Sequence, residues 1–446
     1  MKADKLNYPR TVLVGLAFLS ICAFWQLYDN IVPLILTGTF RMNETLSGAI
    51  MAADNVLALI LLPLFGALSD RTETKLGKRM PYILGGTAAA VLLMNLLPAL
   101  DNAYAAAPGA GKTAAFVVIL GLLLIAMGAY RSPAVALMPD VTPKPLRSKG
   151  NAVINLMGAL GGILCLAVAA ALYPEGARSA AHADYRPLFL IVSGVMVASI
   201  IVMLFTVREP TLSAANRALE AAHPEWNLAE TDASGHEALP PEVRRSLGFL
   251  LSSIALWFIG YNGVTTWFTT YVSVVMGQGL GGASACLLIA SGGAVVSYIP
   301  IGLLASRIGR RKTILGGCAL LALCFLLSFQ LTVRYHSVNA AMFIVFACIG
   351  FAWAAINVNS LPMVVEMCRG GDVGKFTGYY YAASMAAQVV TPVLAGTLLR
   401  HVSYRALFPY AAFFVACSFI TMLFVRHGDA RIAPKSGLGA FEDMDG

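Results

Sequence analysis

The sequence predicts an all-α membrane protein whose twelve transmembrane helices form two pseudo-symmetric six-helix bundles. Hydrophobic residues make up 58% of the chain and charged residues only 12%. Apolar runs of about 20 residues or more recur along the whole length, and each is long enough to cross a hydrocarbon core of about 30 Å as a helix. A soluble domain could not bury so much apolar surface, and motifs of the first half return in the second.

The apolar runs set the order and the approximate limits of the spans. They are predicted at 11–38, 46–68, 81–100, 113–138, 150–172, 187–207, 248–272, 283–305, 313–333, 339–362, 376–399 and 406–425. With the N-terminus inside, the inner segments hold most of the Lys and Arg residues, which is the bias that fixes orientation in membranes. We therefore expect a multi-pass protein of the plasma membrane with both termini cytoplasmic. The first run is too long for a signal peptide and carries Asp29, so it predicts a transmembrane helix.

The longest polar segment divides the chain into three parts. A first six-helix bundle is predicted at 1–207, a cytoplasmic linker at 208–247, and a second bundle with a short cytoplasmic tail at 248–446. The Ala/Glu-rich stretch of the linker is typical of a short surface helix. The net charge of +8 is explained by basic loops, because no soluble segment carries the basic stripe with interleaved aromatic residues that nucleic-acid binding needs.

Three motifs occur in both halves, in the same order and at equivalent helices. They pair "FWQLYDN" at 24–30 with "LWFIGYN" at 256–262, "FGALSDRTETKLGKRMPYILGG" at 65–86 with "IGLLASRIGRRKTILGG" at 301–317, and "YRSPAVALMPD" at 130–140 with "INVNSLPMVVE" at 356–366. In the second pair, the triplet that ends at Arg79 aligns with the triplet that ends at Arg311. The repeats predict a duplicated six-helix unit, and two such units hold a substrate near the midplane of the membrane.

The loop between the second and third spans resembles a motif of the major facilitator superfamily. Its longer form, from Ser69 to Pro81, is similar to that of the glycoside–pentoside–hexuronide:cation symporter branch. Within that branch, "YRSPAVALMPD" followed by "RSKGNAVINLMGALGG" resembles the sucrose transporters. The matching residues are Arg131, Ala136, Leu137, Asp140, Asn151 and Ala152. The resemblance covers nearly the whole chain and implies the fold of this superfamily, with alternating access to a central cleft.

The resemblance also implies a gate that latches the two halves on the cytoplasmic side. The gate residues are Gly66, Asp70, Arg71, Gly77, Lys78, Arg79 and Asp140 in the first half, and Gly302, Arg307, Arg310 and Glu366 in the second. Ser306 stands where Asp70 would recur, so the second copy is expected to latch more weakly. The glycine favours a close helix contact between the halves. The alternative is that these charges only fix topology, but that bias needs Lys and Arg rather than Asp or paired Gly.

Ionisable residues inside a membrane are costly and usually face a wet interior. Arg131 is the leading candidate for substrate binding, since its guanidinium presents donors in a fixed fork for paired hydroxyls or a carboxylate. Asp54, and after it Asp29, are candidates for proton coupling. Asp54 would lie about 12 Å and Arg131 about 27 Å below the outer ends of their spans, so a direct bridge between them is not expected. The alternatives are a structural pair for Arg131 and a hydrogen bond from Asn55 or Asn30 to Asp54.

Aromatic and amide side chains inside the spans predict a polyol site, because sugars pack their C–H faces on rings and give their hydroxyls to hydrogen bonds. The predicted substrate-binding set, besides Arg131, is Asn30, Asn55, Asn155, Tyr261, Asn262, Trp353, Asn357, Asn359 and Gln388. The tyrosines at 379–381 are interpreted as gate packing. Melibiose-type members of the branch carry sodium-site carboxylates where this chain has Ala58 and Leu62, which favours protons as the coupling ion. The acidic residue of helix seven in sucrose transporters also has no match.

The leading hypothesis is a proton-coupled symporter of a sugar or glycoside that works as a monomer in the bilayer. An exporter of amphipathic drugs or metabolites, or a carrier of a sugar acid paired with Arg131, are the alternatives. A membrane enzyme is disfavoured, because the sequence has no clustered His/Cys ligands, phosphate loop or nucleophile motif. The eight cysteines form no C-x-x-C pair, so neither a metal nor a cofactor is expected.

Overall fold

The computed structural model describes residues 6–174, 182–223, 240–335, 337–367 and 373–429, without the side chains of residues 148, 373 and 374. Thirteen α-helices lie in these ranges. They are α1 (Tyr8–Leu34), α2 (Glu44–Arg71), α3 (Met80–Ala106), α4 (Ala110–Val141), α5 (Arg147–Leu172), α6 (Arg186–Thr206), α7 (Glu209–Ala222), α8 (Pro241–Tyr271), α9 (Leu280–Ile308), α10 (Arg310–Arg334), α11 (Ala340–Val365), α12 (Val373–His401) and α13 (Leu407–Leu423). Short π-helices, Ile35–Thr39 and Val272–Met276, follow α1 and α8.

Twelve of these helices are long and apolar enough to cross a membrane, in the order that the sequence predicts. Most helices extend a few residues beyond the predicted apolar runs: the second span is Glu44–Arg71 rather than 46–68, and the third is Met80–Ala106 rather than 81–100. A helix satisfies its own backbone groups wherever it runs, so it does not need to stop where the side chains become polar. The chain is a multi-pass membrane protein.

The helices divide into two compact units. One comprises Met1–Pro224 with Gly279–Ser284, and the other comprises Glu225–Gln278 with Ala285–Gly446. In the first unit α1 packs on α5 and α6, and α3 packs on α4 and α6; in the second unit α8 packs on α12 and α13, and α10 packs on α11 and α13. The same four pairings therefore recur at equivalent positions. Together with the π-helix that ends the first helix of each unit, they show the repeat that the sequence motifs predict.

The helix α7 lies at the start of the segment that the sequence analysis treats as a linker, and it packs on α4 of the first bundle. Asn216 is buried and donates from Nδ2 to the carbonyl oxygens of Asp140 and Thr142, at 3.3 and 3.4 Å. Glu220 pairs with Arg147 at the start of α5, at 2.9 Å. The first part of 208–247 is thus a surface helix attached to the first bundle, whereas residues 224–239 lie outside the described ranges.

Two helices of the first bundle approach each other closely at Gly161, where α5 packs on α1. A Cβ at this position would collide with the carbonyl oxygen of Leu19, which is backbone and cannot rotate away. We expect Gly161→Ala to destabilise the bundle by about 1–3 kcal/mol, the usual cost of overpacking, measured as a lower apparent Tm in detergent. Gly194→Ala in α6 is the control, because no atom lies within 4 Å of its added Cβ. Equal Tm values for the two variants would contradict this account of the contact.

Candidate functional site

The loop between α2 and α3 is organised around Arg79, whose side chain is buried among acceptors. Its Nε donates to Oδ2 of Asp140 at 2.9 Å, and one Nη donates to Oδ1 of Asp70 at 2.5 Å. The other Nη donates to the hydroxyl of Ser69 at 2.6 Å and to the carbonyl oxygen of Gly66 at 3.4 Å. The flat guanidinium fork can serve several acceptors at once, which an ammonium cannot do. Arg79 therefore joins the end of α2 to the end of α4.

The charge of Arg79 is fixed by these neighbours. Burial lowers the pKa of the guanidinium, but the hydrogen bond and charge of Asp140, and then the charge of Asp70, outweigh that effect and raise the pKa above its ordinary value. Arg79 is 6% exposed, whereas the Asp70 side chain is 62% exposed and that of Asp140 is 35% exposed. The cation is thus the buried member of the cluster, and the two carboxylates keep contact with solvent.

The start of α3 is capped by a glutamate that is 130 residues away in the sequence. Glu209, the first residue of α7, is 2% exposed. Its carboxylate accepts from the backbone amides of Lys78, Arg79 and Met80 at 2.7, 2.9 and 2.8 Å. The first amides of a helix lack partners within the helix and carry its positive dipole end, so a carboxylate is well placed there. Gly77 has φ +114°, and a Cβ there would collide with this carboxylate.

The second bundle repeats the arrangement with different residues. Arg310 donates to Glu366 at the end of α11, as Arg79 does to Asp140. Asp429, after α13, accepts from the amide of Arg311 at 3.2 Å beside Gly309, which has φ +96°. In the second bundle, the arginine that binds the carboxylate is Arg310, directly after Gly309. In the first bundle it is Arg79, the second residue after Gly77. The alignment of Arg79 with Arg311, made on the triplets, is one residue out of step with these contacts.

The remaining gate candidates are Gly66, Arg71, Lys78, Gly302 and Arg307. Gly66 faces α4 of its own bundle, where an added Cβ would lie 3.2 Å from Oγ of Ser132. Arg71 and Arg307 are exposed, while Lys78 and Gly302 are partly buried. Ser306, which stands at the position of Asp70, donates to the carbonyl oxygen of Leu303 at 2.8 Å on its own helix. The second bundle thus has no counterpart at this position of the Asp70 carboxylate, which Arg79 binds in the first bundle.

Three ionisable residues inside the spans of the first bundle, Asp29, Asp54 and Arg131, belong to α1, α2 and α4. The guanidinium of Arg131 lies over the ring of Trp25, 5.8 Å from its centroid. The Tyr28 hydroxyl donates to the carbonyl oxygen of Met51 at 3.4 Å and so joins α1 to α2. A cation over an indole face is attracted by the ring quadrupole, which orients Arg131 without neutralising its charge.

The two acidic candidates and Arg131 form one cluster. Nδ2 of Asn55 donates to Oδ1 of Asp54 at 2.9 Å, which is one of the two hydrogen bonds that the sequence analysis gave as alternatives. Asp54 lies within electrostatic range of Arg131 and of Asp29. Among the described residues no ion pair joins Asp54 to Arg131, as the estimate of their depths predicts. The arrangement leaves the guanidinium fork without an ion pair among the described residues and keeps the Asp54 carboxylate in its electrostatic range.

Two of the candidates of the second bundle form an aromatic pair. Tyr261 and Trp353 stack with ring centroids 3.7 Å apart and an interplanar angle of 6°. Asn262 is partly buried, and within the described part of the chain its Nδ2 has no hydrogen-bond partner. The Oδ1 of Asn357 accepts from the Tyr380 hydroxyl at 3.4 Å. Tyr380 is fully buried, and this contact joins α12 to α11.

Four further candidates lie in α1, α5, α11 and α12. Asn30 and Asn359 are buried, and each donates to a carbonyl oxygen one turn earlier in its own helix, of Gln26 at 2.7 Å and of Ala355 at 2.9 Å. Asn155 and Gln388 are partly buried in α5 and α12. The described geometry thus brings Arg131, Asp54, Asn55 and Asp29 together in the first bundle, and Tyr261 and Trp353 together in the second.

Sequence reasoning did not identify Glu209, which is the most connected acceptor at the loop end of the first bundle. Its signal was present in "VREPT" at 207–211, a carboxylate at the first position of a helix after the sixth span. A carboxylate in such a place caps a helix start, but the sequence does not show that the start is that of α3, about 130 residues earlier. The loop motif contains Ser69, but it does not show that the hydroxyl accepts a hydrogen bond from Arg79.

Comparison with known proteins identifies the family. The sequence profile of the Major Facilitator Superfamily matches residues 14–298 and 281–441. The chain belongs to the Major Facilitator Superfamily. The resemblance noted on the loop motif and on the α4 segment is thereby confirmed. Among curated relatives, this superfamily member is similar to the sucrose transport protein SUC3 of Arabidopsis thaliana, at 30% identity over 138 residues, which cover 28% of this chain and 23% of that protein.

Two further relatives are similar over comparable lengths. The alpha-ketoglutarate permease of Escherichia coli (strain K12) is 29% identical over 140 residues, 31% of this chain and 28% of that protein. The sucrose transport protein SUT1 of Oryza sativa subsp. japonica is 25% identical over 174 residues, 36% of this chain and 32% of that protein. The matches thus span less than a third of each relative.

Solved structures of transporters share the fold. The xylose transporter XylE from E. coli, in an inward open conformation, superposes with a TM-score of 0.67 at 14% identity, covering 98% of this chain and 99% of that chain. The nucleoside transporter NupG superposes with a TM-score of 0.65 at 12% identity, covering 94% of this chain and 100% of that chain. The prediction of an all-α fold with twelve spans is confirmed. The relatives are transport proteins, in agreement with the prediction that the chain is not an enzyme.

Proposed function

We propose that this member of the superfamily is a proton-coupled symporter that carries a sugar or glycoside by alternating access. The observation that supports it most is in the first bundle, where Arg131 lies over Trp25 with Asp54 in its electrostatic range, and Asp29 lies in the electrostatic range of Asp54. A guanidinium fork can bind paired hydroxyls of a sugar. A carboxylate in the electrostatic range of that fork can take up a proton and give it back to water. When it is protonated, it no longer attracts the guanidinium as a negative charge.

The second bundle supports a polyol rather than a purely apolar substrate. The Tyr261–Trp353 stack offers a flat apolar face, and the Nδ2 of Asn262 is a donor without a partner in the described residues. A buried donor without an acceptor is costly, so a hydroxyl oxygen of a ligand is a suitable partner. The sucrose transport proteins among the relatives are consistent with this substrate class.

A carboxylate substrate is the second candidate. The charge of Arg131 is not neutralised by an ion pair among the described residues, and a bidentate pair with a carboxylate is the strongest interaction that a guanidinium makes. One relative is named as an alpha-ketoglutarate permease. In this version Arg131 binds the acid group of the substrate, and the proton still travels on Asp54.

Counterflow in proteoliposomes tests the substrate class directly. Vesicles preloaded with one unlabelled candidate are diluted into labelled candidates, with neutral saccharides, glycosides and dicarboxylates as separate arms. Exchange of a neutral saccharide supports the proposal, whereas exchange confined to carboxylates establishes the second candidate. A lack of exchange in both arms, in protein that remains folded and monodisperse, would reject both.

Asp54→Asn tests the coupling. Because the amide cannot carry a proton, uptake driven by an inward proton gradient should fall to the level without a gradient, while counterflow of the substrate should continue. The measurement is the ratio of initial uptake rates with the interior at higher pH and with equal pH on both sides. Glu44→Gln, a carboxylate at the start of the same helix, is the control and should keep the wild-type ratio. Accumulation that follows the proton gradient in Asp54→Asn would exclude Asp54 as the coupling residue.

A further inference from the structure

An aspartate is buried near the end of α3, at the end of the first bundle opposite the Arg79 loop. The side chain of Asp101 is 0% exposed, and neither of its oxygens meets a donor at full hydrogen-bond geometry within the described residues. The Thr39 hydroxyl lies beside the carboxylate. An ionised carboxylate in such a place costs several kcal/mol unless a charge compensates it.

The compensating group is a histidine from the segment between α5 and α6. Nε2 of His182 lies 3.3 Å from Oδ2 of Asp101 and 2.8 Å from Oδ1 of Asn102. Both oxygens are acceptors, so Nε2 carries a hydrogen and the ring gains a further proton at Nδ1. The His182 side chain is 25% exposed, and it can therefore exchange that proton with solvent.

The neighbouring charged groups do not titrate in the range where histidine does. Burial favours the protonated form of Asp184, but hydrogen bonds from Asn102 and from the Arg186 amide, with the Arg186 charge, hold its pKa below the ordinary value. Asp184 is therefore a carboxylate near neutral pH, and its Oδ1 caps the start of α6 by accepting from the Arg186 amide at 3.0 Å. Its negative charge adds to that of Asp101 and favours a proton on the pair.

The other ionisable neighbours keep one charge state. Burial raises the pKa of Tyr173, at the end of α5, to about 12, and burial also raises the pKa of Tyr185 above its ordinary value. Both phenols are neutral near pH 7. Lys112, at the start of α4, donates from Nζ to the carbonyl oxygens of Ala103 and Ala107 at 2.8 and 2.6 Å. It caps the end of α3 and does not pair with Asp101.

We propose that Asp101 and His182 form a proton-binding site whose proton fastens the segment beginning at His182 to α3. The ligand is a single proton, shared between a buried carboxylate and an imidazole that reaches solvent. Asp54 lies on a different helix, within the Arg131 cluster, and is not part of this site. The site makes this end of the first bundle sensitive to the pH on its own side of the membrane.

The bound proton stabilises the attached state of the segment, because it places a cation beside the buried carboxylate. At low pH the pair holds its proton, and an imidazolium compensates the Asp101 carboxylate, so the segment is attached. As pH rises and the pair gives up this proton, the carboxylate stays buried without a cation. The stability that the proton contributes is then lost. Detachment of His182 lets water reach Asp101, and the start of α6 loses support.

Hydrogen exchange of the full-length protein in nanodiscs tests the site. The readout is protection of the amides of residue 186 and residues 188–190, since Pro187 has no amide hydrogen, corrected for the intrinsic pH dependence of exchange. In the wild type we expect protection to fall about tenfold from about pH 5.5 to about pH 8.5, because the pair loses its single proton. Asp101→Asn removes the buried charge, and His182→Gln keeps a donor without a titrating group. Both variants are expected to show no pH-dependent fall.

Three results would overturn the site. They are flat protection in the wild type, an undiminished fall in His182→Gln, and an undiminished fall in Asp101→Asn. Asp101→Asn keeps the size and the polar atoms of the side chain, so the test stands even if His182→Gln does not fold. His401→Gln, an exposed histidine at the end of α12, is the control and should behave as the wild type does. Transport does not enter the readout, so the result is independent of the proposed function.

Discussion

Arg79→Ala is expected to destabilise the first bundle by about 3 kcal/mol, the lower end of the cost of removing one partner from a buried ion pair. Arg79 is 6% exposed and donates to Asp70, Asp140 and Ser69. Without it two carboxylates face each other across the loop, and the Ser69 hydroxyl loses its charged donor. The two carboxylates keep contact with solvent, which places the effect at the lower end of the range. The measurement is the apparent Tm of the purified protein in detergent.

Two variants define what Arg79 contributes. Arg79→Lys keeps the charge but replaces the fork by a point charge, so it should recover only part of the loss. Arg71→Ala removes an exposed arginine from the same loop and should leave the apparent Tm within the error of the measurement, as surface substitutions usually do. If Arg79→Ala were as stable as Arg71→Ala, the cluster would be a set of solvated charges and not a structural junction.

Arg131→Ala is expected to lower substrate uptake by roughly 100-fold, which corresponds to about 2.7 kcal/mol of lost binding in the transport cycle. The guanidinium lies over Trp25, and among the described residues it is in electrostatic range of Asp54 without an ion pair. Without Arg131, this cluster has no second guanidinium that could bind paired hydroxyls or a carboxylate. The measurement is the initial rate of uptake and of counterflow in proteoliposomes, with the substrate that the panel identifies.

The conservative variant separates charge from geometry. Arg131→Lys should restore little of the rate if the fork binds two oxygens of the substrate, and most of it if only positive charge is needed. Arg400→Ala, an exposed arginine at the end of α12, should transport as the wild type does. Wild-type rates in Arg131→Ala, in protein with an unchanged apparent Tm, would show that Arg131 is a structural residue and does not bind the substrate.

Some of the candidate site could be predicted from the sequence because it depends on local features. A charged residue in the middle of an apolar run is visible in one dimension, so Arg131, Asp54 and Asp29 were found. Aromatic residues next to amides, as in "FIGYN", were found in the same way. What could not be found was which of these side chains meet. Nothing in the sequence shows, for example, that Tyr380 donates to Asn357 in another helix.

The capping residues show why the rest needed the fold. Glu209 and Asp429 follow the last helices of their bundles, and each binds the start of the third helix of its bundle. In each case more than a hundred residues separate the carboxylate from the amides it caps. No periodicity carries such a relation, because it depends on how the helices are arranged and not on how each one is composed. The one-residue offset between Arg79 and Arg310 has the same origin.

The sequence by itself determined the number and order of the spans, the duplication and the superfamily, because length, hydropathy and motif spacing act within single helices and single loops. The tertiary structure alone decided that Arg79 joins α2 to α4, that Glu209 caps α3, and that His182 reaches the buried Asp101. These contacts depend on helix rotation and on interhelical distance. A side chain can be ranked as costly to bury from its type, but its compensating partner is fixed only when the helices pack.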